Sequence, residues 1–408
     1  MSAGSLRPIE GVDVRGKTVL IRADVNVPMQ DGTITDATRL ERFAPTVASL
    51  ADRGAKVVVL SHLGRPKGER NMAFTLGPVA EKLGQILGRP VQFASDCVGP
   101  EAEKVIGNLK DGEIAVLENL RFHKGEEEND KTFALRLSVG GDLYVNDAFS
   151  CAHRAHASTY QLATILPAYA GPSLMAEVKA LEAALDKPKR PVAALVGGAK
   201  VSSKIGVLEF LVPKMDHLVI GGGMANTFLA ALGNDVGKSL FEADAMATAE
   251  KVMAMAKESG CQLHLPVDVV VAREFKAHAE NHTVGVDAIP ADAMALDVGP
   301  KTVAEIVAAL STCSTLLWNG PLGAFEIEPF NAATNAVAQE AARLTKAGTL
   351  VTVAGGGDTV AALNAAGAAD DFTYLSTAGG AFLEWLEGRD LPGIEILKTQ
   401  SALAASAV

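Results

Sequence analysis

In the run RADVNVP, residues 22–28, Arg22, Asp24 and Asn26 alternate with Ala23, Val25 and Val27. On an extended chain the three polar side chains share one face, because strand side chains alternate with period two. They follow the apolar KTVLI at 17–21, so a buried strand is expected to end in a row of mixed polarity. Such a row suits a small anion that also carries hydroxyls. Arginine holds phosphate or carboxylate in bidentate fashion. Asp24 and Asn26 would orient the arginine or accept from the ligand's hydroxyls. A turn closed by Asn26 before Pro28 is the plainer reading of Asn26 alone.

The same chemistry recurs through the first half of the chain. His62 and Arg65 lie in SHLGR, Arg121 in ENLRF, and His153, Arg154 and His156 in NDAFSCAHRAH, each after an apolar run. Arg39 opens the helical pattern after the first strand. Any one of these cations alone reads as a solvated surface charge. Repeated at the ends of successive strands, they describe a basic anion site. The spacing of HRAH resembles a metal-ligand pair, but no carboxylate accompanies it, and the anion reading is preferred.

The second half repeats a different arrangement. PVAALVGGAKVSSKIGVLEFL, residues 191–211, reads as a strand, a Gly-Gly turn and a helix. Val201, Ile205 and Leu208 would form its buried stripe, with Lys200 and Lys204 one turn apart on another face. Two such lysines repel each other and oppose the helix macrodipole, each effect costing about 0.3–1 kcal/mol. A polyphosphate at the helix start reverses both signs. VAGGGDTVAALN, residues 353–364, supplies Gly356, Gly357, Asp358 and Thr359 at another helix start. Asp358 reads alone as a helix cap. Beside nucleotide phosphates, a carboxylate serves chiefly through bound Mg2+. STAGGAFLEWL at 376–386 gives a third entry, with Gly379 and Gly380. GNDVGKS at 233–239 falls one residue short of a Walker A loop, and no dinucleotide fingerprint is present.

The elements that must hold these groups are legible. Strand-like runs recur along the chain: TVLIRADV, KVVVLSH, IAVLEN, DLYVND, PVAALVGG, HLVIGG, LPVDVVVA, TLLWNG, TLVTVAGG and TYLST. Amphipathic patterns lie between many of them, as in ATRLERFAPTVASLADRG, where Leu40, Phe43, Val47 and Leu50 have helical spacing. Alternating apolar strands and helices predict parallel sheets covered on both faces. In such sheets ligands bind beyond the carboxyl ends of the strands, where the polar and glycine-rich segments fall.

At 408 residues the chain is expected to form two domains. A helix in PSLMAEVKALEAALDKPKRP, with Leu174, Val178, Leu181 and Leu185 on one face, would join them. The tail KTQSALAASAV shows no clear pattern. A net charge of −11 argues against a general nucleic-acid or membrane-surface role. Cys97, Cys151, Cys261 and Cys313 lie far apart without CxxC spacing, which argues against a zinc ribbon or disulfide scaffold and suits a reducing cytoplasm. The opening MSAGSLRPIE has no apolar signal core and no apolar run could span a bilayer, so a cytoplasmic location is expected.

Taken in order, RADVNVP, SHLGRP, LENLRF, NDAFSCAHRAH, GGAKVSSK, IGGGMANTFL, LDVGPKT, WNGPLGAFE and GGGDT resemble the phosphoglycerate kinase family over almost the whole chain. The resemblance implies two Rossmann-like, doubly wound parallel-sheet domains joined by a helix, with a cleft between them that closes by hinge motion. The expected divisions are 1–171 for phosphoglycerate, 172–190 for the hinge, 191–390 for nucleotide, and 391–408 packing back on the first domain. It implies reversible phosphoryl transfer between 1,3-bisphosphoglycerate and MgADP by a monomer, giving 3-phosphoglycerate and MgATP. By resemblance, Arg22, Asp24, Asn26, Arg39, His62, Arg65, Arg121 and Arg154 form the phosphoglycerate site. Arg39 and Lys200 neutralise the phosphoryl group in flight, and Gly379 and Gly380 contact it. Lys204, Glu326, Gly356, Gly357, Asp358 and Thr359 form the nucleotide site, with Glu326 near the ribose and Asp358 near Mg2+. The chain departs from the family where Ala378 replaces a glycine and Phe382 a serine, and where Val25, Ser150 and Cys151 replace Phe, Gly and Thr. A nicotinamide-dependent dehydrogenase and a two-lobed anion-binding protein are the competing readings.

Overall fold

The computed structural model describes residues 3–406. Two compact units emerge, one of residues 1–179 with 390–408 and one of residues 180–389. The division falls within the helix Pro172–Leu181, which carries the chain from one unit to the other.

The first unit is built on a six-stranded sheet. Its spatial order is Val91–Ala94, Ile114–Leu117, Lys56–Leu60, Thr18–Arg22, Leu143–Asn146, Ala168–Ala170, and every pairing is parallel. Thr18–Arg22 lies in the middle with all five residues buried, which is why TVLIR is nearly continuous in apolar character. The helix Thr38–Asp52 buries Leu40, Phe43, Val47 and Leu50, the stripe its spacing predicts. These join Val19, Ile21, Val57 and Val59 in one apolar core. The tail that lacked a pattern lies on the helix Pro392–Ser406, which belongs to this unit. Ile394 and Leu397 are buried there, and Gly393 N–H donates to Ala152 O at 2.9 Å.

The second unit holds another six-stranded parallel sheet. Its order is Gln262–His264, His217–Ile220, Val192–Val196, Thr315–Asn319, Val351–Gly355, Tyr374–Ser376. LPVDVVVA departs from expectation. Its strand Asp268–Ala272 pairs antiparallel with Asn281–Gly285 and Met294–Val298 in a separate three-stranded sheet. A short apolar run does not reveal which strand it pairs with, and one neighbour, Asn281–Gly285, is polar and largely exposed. The four cysteines are free and buried, and among the described residues no helix is long and apolar enough to cross a membrane.

Candidate functional sites

In the first unit the strand stops at Arg22, and Asp24 and Asn26 lie beyond it in irregular backbone. The extended row of three is therefore not formed. Asp24 Oδ1 instead accepts from Asn26 N–H at 3.2 Å, turning the chain, and Asn26 Oδ1 accepts from Gly64 N–H at 3.0 Å. A side chain that bonds its own backbone two residues on competes with continued extension.

Arg22 is 1% exposed, so it does not project as the sequence suggests. Its Nε donates to Ser158 Oγ at 2.9 Å, Nη2 to His62 Nδ1 at 2.9 Å, and Nη1 to Ala23 O. Burial opposes this guanidinium's charge, but Cys151, Glu126 and Asp24 outweigh it, and the proton is held more tightly than usual. Glu126 is fully buried and accepts from Ser158 N–H at 2.9 Å and Ser158 Oγ at 2.5 Å. Burial and the neighbouring Arg22 and Arg121 push the His62 imidazole well below its ordinary range. His62 is thus neutral at pH 7. With Nδ1 accepting from Arg22, its Nε2 carries the proton and can donate to a ligand oxygen. His156 is likewise held down, to about 3, by burial and by Arg121 and Arg22.

Asp24 Oδ2 receives Arg39 Nη1 at 2.7 Å and Ser150 Oγ at 2.5 Å. Arg121 Nη1 donates to Gly64 O at 2.8 Å, while its buried Nε makes no hydrogen bond and is ion-paired with Glu127 Oε1 at 3.4 Å. Arg65 is exposed and Arg154 half-buried. Arg22 and His62 thus bond each other, while Asp24, Asn26, Arg39 and Arg121 are joined directly or through Gly64, and Cys151 Sγ, which lies near both Arg22 Nη2 and Ser150 Oγ, links the two groups. Ser158, Glu126, Ser150 and Cys151 complete this network and were not foreseen. Glu126 stands in the acidic run EEE, which reads as a solvated surface, so no signal in the sequence marks it.

In the second unit the expected helix from Lys200 is not formed. The chain runs through turns, and the helix spans only Ile205–Leu211. Val201 and Leu208 are buried as expected, but Val207 takes the place given to half-buried Ile205. Gly-Gly followed by Ala-Lys leaves the first turn without a capping side chain, and Lys204 stands at the cap position itself. Lys200 is exposed, whereas Lys204 is half-buried and donates from Nζ to Asn319 Oδ1. Burial lowers the affinity of Lys204 for its proton, and Asp358 and Glu387 partly restore it.

Asn319 ties the neighbouring turns together, since its Nδ2 donates to Gly355 O at 2.7 Å. Thr359 Oγ1 is buried and accepts from Gly320 N–H at 2.8 Å. The strand-end glycines are required by close backbone approach. A Cβ on Gly197 would collide with Pro321 O, one on Gly320 with Gly197 O, and one on Gly222 would lie 2.7 Å from Gly198 O. Gly222, at φ +68°, and Gly356, at φ +100°, start the helices Gly223–Ala231 and Gly357–Ala365.

These turns open on a cavity of about 460 Å³ lined by Gly198, Gly222, Lys238, Leu240, Phe275, Glu326 and Asp358, among others. Apolar and backbone groups dominate its wall, with a few charged groups at the edge, as expected for a nucleoside with a phosphate tail. Glu326 and Asp358 are both exposed. Asp358 makes no capping hydrogen bond at its helix start. One exposed carboxylate beside bound phosphates matches how proteins hold Mg2+, which keeps most of its waters and takes phosphate oxygens as ligands. The residues present fit that ion.

At the third entry Ala378 has φ −85°, an ordinary value for alanine, and Gly379 takes the positive φ of +40°. The departure at 378 therefore imposes no backbone strain. Phe382 is fully buried, and a Cβ on Gly355 would lie 2.8 Å from its ring. Phe382 is a core side chain, packed behind the turn.

A family model described as phosphoglycerate kinase matches residues 9–389. The phosphoglycerate kinase of Methylorubrum extorquens (strain PA1) is 60% identical over 387 residues, covering 95% of this chain and 97% of the relative. That of Rhizobium meliloti (strain 1021) is 61% identical over 389 residues, covering 95% and 98%. Among solved structures, phosphoglycerate kinase from Coxiella burnetii superposes with a TM-score of 0.91 at 42% identity, covering 97% of this chain and all of that one. The structure from Pyrococcus horikoshii OT3 gives 0.80 at 31% identity, with coverages of 97% and 99%.

Proposed function

The chain belongs to the phosphoglycerate kinase family, and from that premise we propose how its residues divide the work of phosphoryl transfer. The enzyme is a glycolytic kinase that moves a phosphoryl group between 1,3-bisphosphoglycerate and ADP, giving 3-phosphoglycerate and ATP. The acid is held by Asp24, Asn26, Arg39, His62, Arg65, Arg121 and Arg154. Arg22, sealed beneath them, holds His62 in the tautomer that donates from Nε2. The nucleotide is held by Lys204, Glu326 and the run Gly356, Gly357, Asp358 and Thr359. Thr359 acts there through the Gly320 turn, because its hydroxyl is already engaged.

The observation that carries this division is the contrast between the strand ends of the two sheets. One unit gathers arginines and a neutral histidine, and the other gathers glycine turns and a lined cavity. The leaving group of the acyl phosphate is a carboxylate, stable as an anion near pH 7, so no general acid is needed. Alignment and charge stabilisation then carry the rate. Arg39 and Lys200 neutralise the equatorial oxygens in flight, and the Gly379–Gly380 helix start offers backbone N–H groups. Mg2+, held by Asp358 and the nucleotide phosphates, supplies neutralising charge when bound. The transfer takes place when hinge motion brings the two ligands together and excludes water. The working form is a cytoplasmic monomer.

The test is a coupled assay run with 3-phosphoglycerate and ATP. Formation of ADP that requires both substrates and Mg2+ is expected. A folded sample that binds both ligands and transfers nothing overturns the reading, and saturable NADH binding would favour the dehydrogenase instead.

A further inference from the structure

Away from both sites, the first unit brings Asp96, Cys97 and His123 together. One donor atom from each lies within 4.8 Å of the other two. Asp96 and Cys97 follow the edge strand Val91–Ala94, just before the helix Pro100–Asn108. His123 closes the turn Leu120–Phe122 on a different segment. The geometry points to a binding site for a borderline divalent cation of the Zn2+ type, held by the Asp96 carboxylate, the Cys97 thiolate and the His123 imidazole.

Several observations converge. His123 Nε2 and Asp96 Oδ1 already lie 2.7 Å apart, with one proton between them where a cation would sit. The same carboxylate oxygen accepts from Cys97 N–H at 2.7 Å, which fixes its direction toward the sulfur's own residue. The His123 ring stacks on Phe133 with centroids 5.2 Å apart, so its orientation is set by packing. Tetrahedral zinc keeps its N and S donors about 3.5 Å apart, so closing from the present spacing asks for small side-chain rotations. The mixed O, N, S donor set excludes Mg2+ and Ca2+, which take oxygen. Three protein donors leave a fourth position for water.

Binding releases the Cys97 thiol proton to solvent, and the His123 ring proton moves to Nδ1 so that Nε2 can ligate. The same segment carries Arg121 two residues earlier, so the cation would anchor it. The Asp24, His62 and Cys151 donors also lie within 4.8 Å of one another, but they belong to the anion site already described.

The experiment uses Co2+ as the probe on the full chain, read by absorption spectroscopy and equilibrium dialysis. One Co2+ per chain is expected, with a near-ultraviolet thiolate-to-cobalt band and visible bands of tetrahedral intensity. Zn2+ should displace it and raise Tm. His123→Gln and Cys97→Ala should each weaken binding at least tenfold, and Cys97→Ala should abolish the thiolate band. Because Cys97 is buried, each variant is first checked for folding by circular dichroism. His123→Gln, at a half-buried position, keeps the test valid if Cys97→Ala fails to fold. Absence of stoichiometric Co2+ binding, or a thiolate band that persists in His123→Gln and vanishes in Cys151→Ala, overturns the assignment.

Discussion

Arg39 Nη1 lies 2.7 Å from Asp24 Oδ2, although the two residues sit on either side of a short hairpin, Met29–Gln30 with Thr33–Ile34. Arg39 is at the second position of its helix, and its guanidinium is brought back over the end of the central strand. The carboxylate holds the cation without neutralising the site, since Arg121, Arg154 and Arg22 remain close by.

That arrangement makes Arg39 a preorganised charge whose loss is felt in the transition state. Arg39→Ala is expected to lower kcat by about 10²–10³, the scale of losing one aimed donor. Asp24→Asn should cost less, chiefly in KM for the acid, because the arginine stays present but loses its brace. Steady-state kinetics in both directions would check this, with circular dichroism to confirm folding. Near-normal turnover in Arg39→Ala, and equally in Lys200→Ala, would remove the role given to that pair.

Glu326 is exposed at the cavity wall, with no hydrogen bond to another described side chain, so its removal should leave the fold alone. Glu326→Ala is expected to weaken ADP binding by about tenfold, the lower end of the value of a single hydrogen bond to a charged group. Isothermal calorimetry measures this directly. An affinity equal to the parent would exclude contact with the nucleotide.

Much of this architecture is legible because parallel strands buried on both faces leave unmistakable apolar runs, and the chemistry lies where those runs stop. Arg22 and Lys204 show the boundary of that legibility. Both were recognised as functional cations, but their burial was not foreseen, because it depends on Ser158, Cys151 and Asn319 arriving from distant segments. Glu126 went unseen for the same reason. The helix expected from Lys200 failed on local grounds: Gly197 and Gly198 serve backbone contact with Pro321 and Gly222, and a turn wins over helix continuation.

Those contacts make the glycine turns mechanically stiff. Gly197→Ala should destabilise the second unit by several kcal/mol, the scale of forced overpacking against backbone that cannot move away. Gly367→Ala is not a fair control, since its φ is +66°. Gly357→Ala is fairer, with nothing within 4 Å of the added methyl and no positive φ. Thermal unfolding should show a large fall in Tm for Gly197→Ala and little change for Gly357→Ala. Equal Tm values would mean that the turns yield freely.

Asp297 offers a separate test through pH. It is nearly fully buried beside the cavity, and burial raises its carboxyl to about 7, even though Ala333 and Val298 donate backbone N–H bonds to it. The ordinary carboxyl value is 3.8. Between those two pH values the folded chain keeps a proton that the unfolded chain has released. Stability attributable to this group is therefore full below pH 4, falls as pH rises, and levels off above pH 7, at about 1.4 kcal/mol per unit along the slope. Asp147, raised to about 6 by burial, adds a similar slope over a narrower window. Asp297→Asn removes one of the two, so the drop in Tm between pH 5 and pH 8 should be smaller in the variant than in the parent. A variant with an unchanged pH slope would show that Asp297 is ionised throughout, its two backbone donors outweighing the loss of solvent.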